Sequence, residues 1–218
     1  MNYKIQISKP NLGNKELKLI KEVFSSGIIV QGPKVEEFEK EFSSYIGTKY
    51  GIATSSGTTA LHTAAISAGI KEGDEVIVPS FSFIATANCV LYCGAKPVFA
   101  DINEEDFNIS PDDIQKKISP KTKAIIPVHL YGQPADMKAI MDIAQEKDLI
   151  VIEDACQAHG AEFNNKKVGS FGIGVFSFYA TKNITTGEGG MITTDDEKIN
   201  EVSRMIRSHG SVKRYYHD

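Results

Sequence analysis

The sequence has no apolar run long enough to cross a bilayer, and its first residues, MNYKIQISKP, do not form a signal peptide. It contains only three cysteines, an odd number that does not indicate a disulfide framework. Cys89 and Cys93 share a helical face without a second pair of ligands, so we assign them to core packing rather than to a metal site. We expect a reduced, cytoplasmic protein with no membrane segment and no metal ion.

An excess of charge of one sign is also missing. The 24 basic and 28 acidic residues are interspersed and leave a net charge of −4, which does not favour a surface for nucleic acid or anionic membranes. Two common nucleotide-binding motifs are absent, because no GxGxxG follows a strand and no Gly-Lys-Ser/Thr closes a glycine-rich loop. These absences argue against a nicotinamide-binding Rossmann domain and against a P-loop NTPase.

What the sequence does have is an alternation of short β-rich runs with helix-like stretches. The spacing predicts a three-layer α/β sandwich with a mainly parallel seven-stranded sheet that is covered on both faces. The connection from 180 to 191 is short and rich in glycine, so the last strand should run antiparallel to its predecessor. Before the sheet, residues 33–47 predict an amphipathic helix with Val35, Phe38, Phe42 and Tyr45 on its apolar stripe. The predicted strands are 50–54, 75–80, 96–101, 123–130, 149–154, 175–180 and 191–194.

Polar residues follow several of these strands. Ligands of open α/β sheets bind outside the carboxyl ends of the strands, so we expect a site where these residues meet. They are Ser55, Ser56, Gly57, Thr58, Ser80, His129, Asp154 and Lys182.

The turn TSSGTTAL (54–61) leads from a strand into a helix and is rich in hydroxyl groups. Free backbone N–H groups at a helix N-terminus bind phosphate, and Gly57 would allow close approach. A Ser/Thr helix cap is a common alternative explanation of the same pattern.

Asp154 ends a strand that should be buried on both faces, where a carboxylate needs a cation or several donors. It could cap the next segment or pair with a protonated ring nitrogen.

Lys182 precedes a glycine-rich loop. Most lysines are solvated, but a partly buried neutral amine can form a Schiff base. A lysine imine, a carboxylate for a ring nitrogen and a phosphate cradle are the features that a pyridoxal phosphate (PLP) enzyme needs. Ser177 could add a hydroxyl to the phosphate, and Phe83 could either stack on the ring or pack in the core.

Six separated motifs carry a family resemblance: SGTTAL, GDEVIVPSFSFIATANCV, GAKPVFADI, KTKAIIPVHLYGQPADM, VIEDACQAHGA and FSFYATKNITTGEGGMITT. Together they resemble the DegT/StrS-type sugar aminotransferases, which are PLP enzymes of fold type I. The resemblance implies that Lys182 carries the cofactor as a Schiff base and that Asp154 contacts the pyridine nitrogen. It places Gln157 against the phenolic oxygen, Phe83 on the ring, and Gly57, Thr58 and Ser177 at the phosphate. His159 falls near the site without an assigned role.

The resemblance also implies an arrangement of the whole protein. It divides the chain into an N-terminal helical arm at 1–34 and the PLP-binding large domain at 35–218, with the family's small C-terminal domain absent from this sequence. The implied reaction transfers an amino group from glutamate to a keto sugar linked to a nucleotide, in a homodimeric enzyme of amino-sugar and polysaccharide biosynthesis. A sugar dehydratase of the same family, in which histidine replaces the lysine, and a non-catalytic regulatory protein are the alternatives.

Overall fold

A seven-stranded sheet organises the computed structural model, which describes residues 8–211. The strands of this sheet are β1 (Tyr50–Thr54), β2 (Glu75–Pro79), β3 (Lys96–Ala100), β4 (Thr122–Ile125), β5 (Ile150–Asp154), β8 (Ile173–Ser177) and β9 (Gly190–Thr194). They lie in the order β1-β9-β8-β5-β4-β2-β3. β9 runs antiparallel to both of its neighbours, β8 and β1, whereas the remaining pairs are parallel. The mainly parallel sheet and its antiparallel last strand are therefore confirmed. Two short strands, β6 (Glu162–Phe163) and β7 (Lys166–Lys167), form a separate hairpin.

The helices are α1 (Asn14–Ser26), α2 (Pro33–Ile46), α3 (Gly57–Ser67), α4 (Ala85–Tyr92), α5 (Pro111–Lys117), α6 (Met137–Lys147) and α7 (Glu197–Arg207). They cover both faces of the sheet. Successive residues of a strand point to opposite faces, so neighbouring strand residues pack against different helices. Val76 and Val78 pack with α3 and α4 in one apolar cluster, whereas Ile77 packs with α5 and α6 in another. α2 covers the same side as α5 and α6, through a third cluster under β8 and β9. The three-layer prediction is confirmed.

The predicted helix at 33–47 forms as α2, with Pro33 at its start and Gly47 in a left-handed conformation after its end. Its buried stripe differs from the prediction at one position. Tyr45 is 55% exposed and Ile46 is buried instead. Phe38, Phe42 and Ile46 are four residues apart, the spacing that keeps side chains on one helical face.

Two predicted strands end earlier than expected. β4 ends at Ile125, short of 130, and Pro127, which has no N–H to donate, separates it from an isolated parallel bridge between Val128 and Asp154. β8 ends at Ser177, short of 180. The Oγ of Ser177 accepts a hydrogen bond from the N–H of Tyr179 at 3.3 Å. The chain then turns, and the N–H of Lys182 donates to the carbonyl of Tyr179 at 2.9 Å.

The buried carboxylate of Glu39 joins α7 to α2 and to the edge strand β1. Glu39 of α2 is 4% exposed and accepts hydrogen bonds from Arg204, at 2.8 Å, and from Arg207. The same carboxylate accepts from the N–H of Ala53 on β1 at 2.9 Å. Arg204 also donates to the carbonyl of Gly51 at 2.9 Å. These contacts fix α7 to α2 and to the edge strand.

Within residues 8–211, no helix has both the length and the apolar character needed to cross a membrane. The predicted domain limits, 1–34 and 35–218, extend into residues 1–7 and 212–218, which lie outside the described part. α1 has no buried residue. A helical arm at the N-terminus stays a prediction.

Candidate active site

A cavity of about 580 Å³ opens at the carboxyl ends of β1, β5 and β8. All of the predicted cofactor-binding residues contribute to its wall, and they come from separated parts of the chain. These residues are Gly57, Thr58, Phe83, Asp154, Gln157, Ser177 and Lys182. The structure therefore brings together every residue predicted to bind the cofactor, while their individual roles remain predictions.

His129 and Ser80, which also follow predicted strands, do not line this cavity. His129 is fully buried, and its Nε2 lies 3.2 Å from Oε2 of Glu153. Its Nδ1 accepts a hydrogen bond from the N–H of Ala135 at 3.1 Å, so the ring proton is on Nε2 and is donated to Glu153. The expectation that His129 faces the ligand edge was wrong. The chain still pairs with β5 here, since the N–H of His129 donates to the carbonyl of Asp154 at 3.1 Å, but Val128 lines the cavity. Successive residues of an extended chain point to opposite sides, so His129 faces Glu153 instead.

The helix-cap explanation and the phosphate-cradle explanation of the turn at 54–61 are both compatible with its geometry. Ser56 caps α3, since its Oγ accepts from the N–H of Thr59 at 3.1 Å and its own N–H donates to the hydroxyl of Thr59 at 2.9 Å. In the described range, the N–H groups of Gly57 and Thr58 have no hydrogen-bond acceptor. Two donors at a helix N-terminus thus face the cavity, where an anion would satisfy them.

Gly57 is packed so tightly that any other residue there would require its neighbours to shift. A Cβ atom on it would lie 2.7 Å from Cβ of Ser177 and 3.0 Å from Sγ of Cys156. The first turn of α3 is therefore in close contact with the end of β8, and the predicted phosphate residues form one continuous surface.

Asp154 is 5% exposed and is held by two donors. Its Oδ2 accepts from the hydroxyl of Thr86 at 2.8 Å, and its Oδ1 accepts from the N–H of Cys156 at 3.2 Å. The second contact is a local turn rather than a helix cap, because no helix begins there. Thr86 is 1% exposed and lies on α4, and no motif of the sequence points to this role.

Cys156 lies beside Asp154 in the wall of the cavity. Burial, and then the negative charge of Asp154, raise the pKa of its thiol well above the usual value. The thiol is therefore neutral and forms part of the packed surface under Gly57, not a reactive nucleophile.

The amide of Gln157 has a fixed orientation. Its Oε1 accepts a hydrogen bond from the N–H of Tyr131 at 2.8 Å. This contact leaves the NH₂ group of Gln157, which is a donor, available to an acceptor in the cavity. Tyr131 adopts a left-handed conformation with φ of 52° in a short 3₁₀ turn, Leu130–Gly132, which is uncommon for a residue other than glycine.

Phe83 and Lys182 complete the wall. The ring of Phe83 is 68% exposed, so the core-packing alternative for this residue is wrong. Lys182 is half-buried, and no carboxylate of residues 8–211 lies within 4.0 Å of its Nζ. In the same range, no group of three or more His, Cys, Asp or Glu side chains could hold a metal ion.

The fold is that of an α/β protein, and its cavity brings the amine of Lys182 together with the carboxylate of Asp154 and the N-terminus of α3. The model of the DegT/DnrJ/EryC1/StrS aminotransferase family matches residues 10–218, and the chain belongs to this family. The family resemblance inferred from the six motifs is thus confirmed.

Individual relatives include sugar-modifying enzymes. The chain is 45% identical over 213 residues to spore coat polysaccharide biosynthesis protein SpsC of Bacillus subtilis (strain 168), covering 97% of this chain and 55% of that protein. It is 47% identical over 209 residues to GDP-perosamine synthase of Caulobacter vibrioides, covering 95% of this chain and 56% of that protein. The chain thus spans slightly more than half the length of the curated relatives it matches.

A solved structure of GDP-4-keto-6-deoxymannose-3-dehydratase, with a trapped PLP-glutamate geminal diamine, has the same fold. Its TM-score is 0.92 at 35% identity, and the match covers 99% of this chain and 57% of that chain. The family therefore includes a dehydratase as well as aminotransferases, and its members use PLP.

Proposed function

We propose that this chain is the cofactor-binding part of a PLP-dependent sugar aminotransferase that transfers an amino group from glutamate to a keto sugar linked to a nucleotide. The observation that carries this proposal is the meeting of Lys182, Asp154 and the N-terminus of α3 around one cavity. The names of the relatives place similar proteins in GDP-sugar and coat polysaccharide biosynthesis, which supports the same substrate class here.

The residues of the cavity fit PLP chemically. The free N–H groups of Gly57 and Thr58, with the hydroxyl of Ser177, match a phosphate. Asp154, buried and held by two donors, matches a protonated ring nitrogen, and the donor amide of Gln157 matches a phenolic oxygen. The cavity volume of about 580 Å³ lies within the usual range for small-molecule sites.

PLP, when bound, supplies an electron sink for a carbanion next to the amine nitrogen. The chain's own contribution is to bind and orient it. Lys182 would hold the cofactor covalently through Nζ and act as the base that moves a proton at the α-carbon of the amino donor. Asp154 would keep the proton on the ring nitrogen, and the exposed ring of Phe83 would cover one face.

Covalent mapping tests the role of Lys182. The full-length protein is incubated with PLP, reduced with borohydride, digested and analysed by mass spectrometry. The pyridoxyl mass should appear on Lys182, and Lys182→Arg should lose the label while Lys166→Arg, changed on the hairpin β6–β7, should retain it. A label on Lys166 or Lys167 in the wild type would contradict the assignment.

A substrate panel tests the reaction. Nucleotide-linked keto sugars are incubated with glutamate and the full-length protein, and the products are identified by mass. An amino sugar together with 2-oxoglutarate supports the proposal. A deoxy sugar would indicate the dehydratase, and a protein without a visible absorption band after PLP treatment would indicate the regulatory alternative. Sedimentation of the same preparation tests the homodimer, which we also propose.

A further inference from the structure

His159 lies behind the cavity, between the end of β5 and the turn that carries Lys182. Rings from α2 and from the end of β8 surround it: the centroids of Phe42, Phe176 and Phe178 lie 6.5, 5.4 and 5.5 Å from that of the imidazole. These three phenylalanines are buried in the apolar cluster below β8 and β9. The environment is thus well packed but offers few polar partners.

The polar contact of this ring is directed at the residue next to Lys182. Nδ1 of His159 lies 3.3 Å from Oδ1 of Asn183. Because a carboxamide oxygen only accepts, the proton of this hydrogen bond belongs to Nδ1. Nε2 is buried and has no hydrogen-bond partner among residues 8–211, which is the state expected of the unprotonated nitrogen in a neutral ring.

The turn at 181–184 has few other anchors. Its base is closed at Phe178 and Tyr179, whose carbonyls accept hydrogen bonds from Thr186 and Lys182 at 3.0 and 2.9 Å. Thr181, Asn183 and Ile184 are exposed. Within the described residues, two contacts tie this segment to distant parts of the chain. The hydroxyl of Ser8 donates to the carbonyl of Ala180 at 3.0 Å, at the base of the turn, and His159 bonds to Asn183, next to Lys182 and 24 residues away in sequence.

We propose that His159 is a positioning residue for Lys182: its neutral ring, fixed by the three phenylalanines, donates from Nδ1 to Asn183 and so holds the lysine turn against the cavity. Burial is the main cause that lowers the pKa of His159, and the nearby charge of Lys182 adds to it, which is consistent with a neutral ring. The proposal rests on the proposed role of Lys182 for its functional consequence, but the hold on the turn belongs to the cofactor-free protein.

The test uses three variants of the full-length protein. His159→Phe keeps an aromatic ring in the cage and removes the donor, Asn183→Ala removes the acceptor, and the double variant removes both. His62→Phe is the control, since His62 is a half-buried histidine on α3 that packs edge-on against Tyr92 outside the cavity wall.

Amide hydrogen exchange of residues 181–184 is measured first, without cofactor. We expect roughly two- to tenfold faster exchange in each single variant, the factor that corresponds to the loss of one hydrogen bond. The double variant should be no faster than the single ones, because both changes break the same contact. Unchanged exchange in Asn183→Ala, or additive effects in the double variant, would overturn the proposal even if His159→Phe were unstable.

The rate of borohydride-trapped PLP labelling at Lys182 is measured second. We expect it to fall about two- to tenfold in the same variants and to stay unchanged in His62→Phe. If the wild type fails to label Lys182 at all, the proposed function fails, while the exchange measurement still tests the hold of His159 on the turn. Labelling at the wild-type rate in variants with faster exchange would overturn the positioning role.

Discussion

The hydroxyl of Thr86 donates a 2.8 Å hydrogen bond to Oδ2 of Asp154 across 68 positions of sequence, and both side chains are buried. This contact, together with the N–H of Cys156, gives each carboxylate oxygen one donor. The carboxylate is therefore held in place before any ligand arrives.

The first prediction follows from this pair. Thr86→Val keeps the shape of the side chain but leaves Oδ2 of Asp154 without its donor. We expect a loss of about 1–3 kcal/mol in the free energy of unfolding, the usual cost of an unsatisfied buried polar group. Urea denaturation measures it. The control is Thr63→Val, a buried threonine on α3 whose hydroxyl has no hydrogen bond within the described residues. Equal effects of the two substitutions would contradict the prediction.

The second prediction concerns the phosphate surface. Gly57→Ala places a methyl group 2.7 Å from Cβ of Ser177, so the first turn of α3 must move away from β8. We expect the cofactor-free protein to lose at least about tenfold in its preference for PLP over pyridoxal, which lacks the phosphate, because the two free N–H groups move with the turn. Equilibrium dialysis with both compounds measures this preference.

Gly13→Ala is the matched control for Gly57→Ala. Gly13 caps the N-terminus of α1, and a Cβ atom there meets its nearest neighbour, Oε2 of Glu16, at an ordinary 3.7 Å. The control should keep the wild-type preference. If Gly57→Ala keeps it as well, the N-terminus of α3 does not bind the phosphate.

The elements that the sequence predicted well are those with a local pattern. The strands of the sheet are short apolar runs between helical stretches, and each was found within a few residues of its observed position. Asp154 and Lys182 could be identified because both follow such runs directly. The N-cap and phosphate patterns of residues 54–61 are also local.

The errors and omissions come from contacts between distant segments. At the end of the predicted strand 123–130, Val128 and not the next residue, His129, faces the cavity, so His129 was assigned to the wrong surface. Thr86 lies in an apolar helix with no motif of its own, and its partner is a residue of a different strand. The orientation of Gln157 depends on the backbone of Tyr131, 26 residues earlier. No local pattern reports such pairs.

The third prediction addresses the buried carboxylate under α7. Glu39→Gln removes the negative charge between Arg204 and Arg207 and leaves both guanidinium groups without a counter-charge. We expect a loss of about 3–5 kcal/mol in the free energy of unfolding, as for other broken buried ion pairs. The matched control is Glu37→Gln on the same helix. Glu37 forms a half-exposed ion pair with Lys34, and the loss of this pair should cost less than about 1 kcal/mol. Similar losses in the two variants would contradict the special role of Glu39.

The last prediction concerns pH. Burial is the largest cause that lowers the pKa of His159 from 6.5, and the nearby charge of Lys182 lowers it further, whereas the side chain of Asn183 and the nearby backbone of Ser177 oppose the shift. The uncharged rings of Phe42, Phe176 and Phe178 also pack against the imidazole.

Because the folded pKa lies below the unfolded one, the unfolded chain binds more protons in the range between them. The contribution of neutral His159 to stability is therefore complete above about pH 6.5 and decreases as the pH falls below that value. In His159→Phe this dependence is absent, so its free energy of unfolding should fall less than that of the wild type between pH 7.5 and 5. Urea denaturation at several pH values measures how steeply the free energy of unfolding of each protein changes with pH.

His62 adds a pH dependence of the same sign, because burial also lowers its pKa. The double variant His62→Phe/His159→Phe should therefore show the weakest pH dependence of all. Parallel curves for the wild type and His159→Phe would show that the ring is not held neutral in the folded protein.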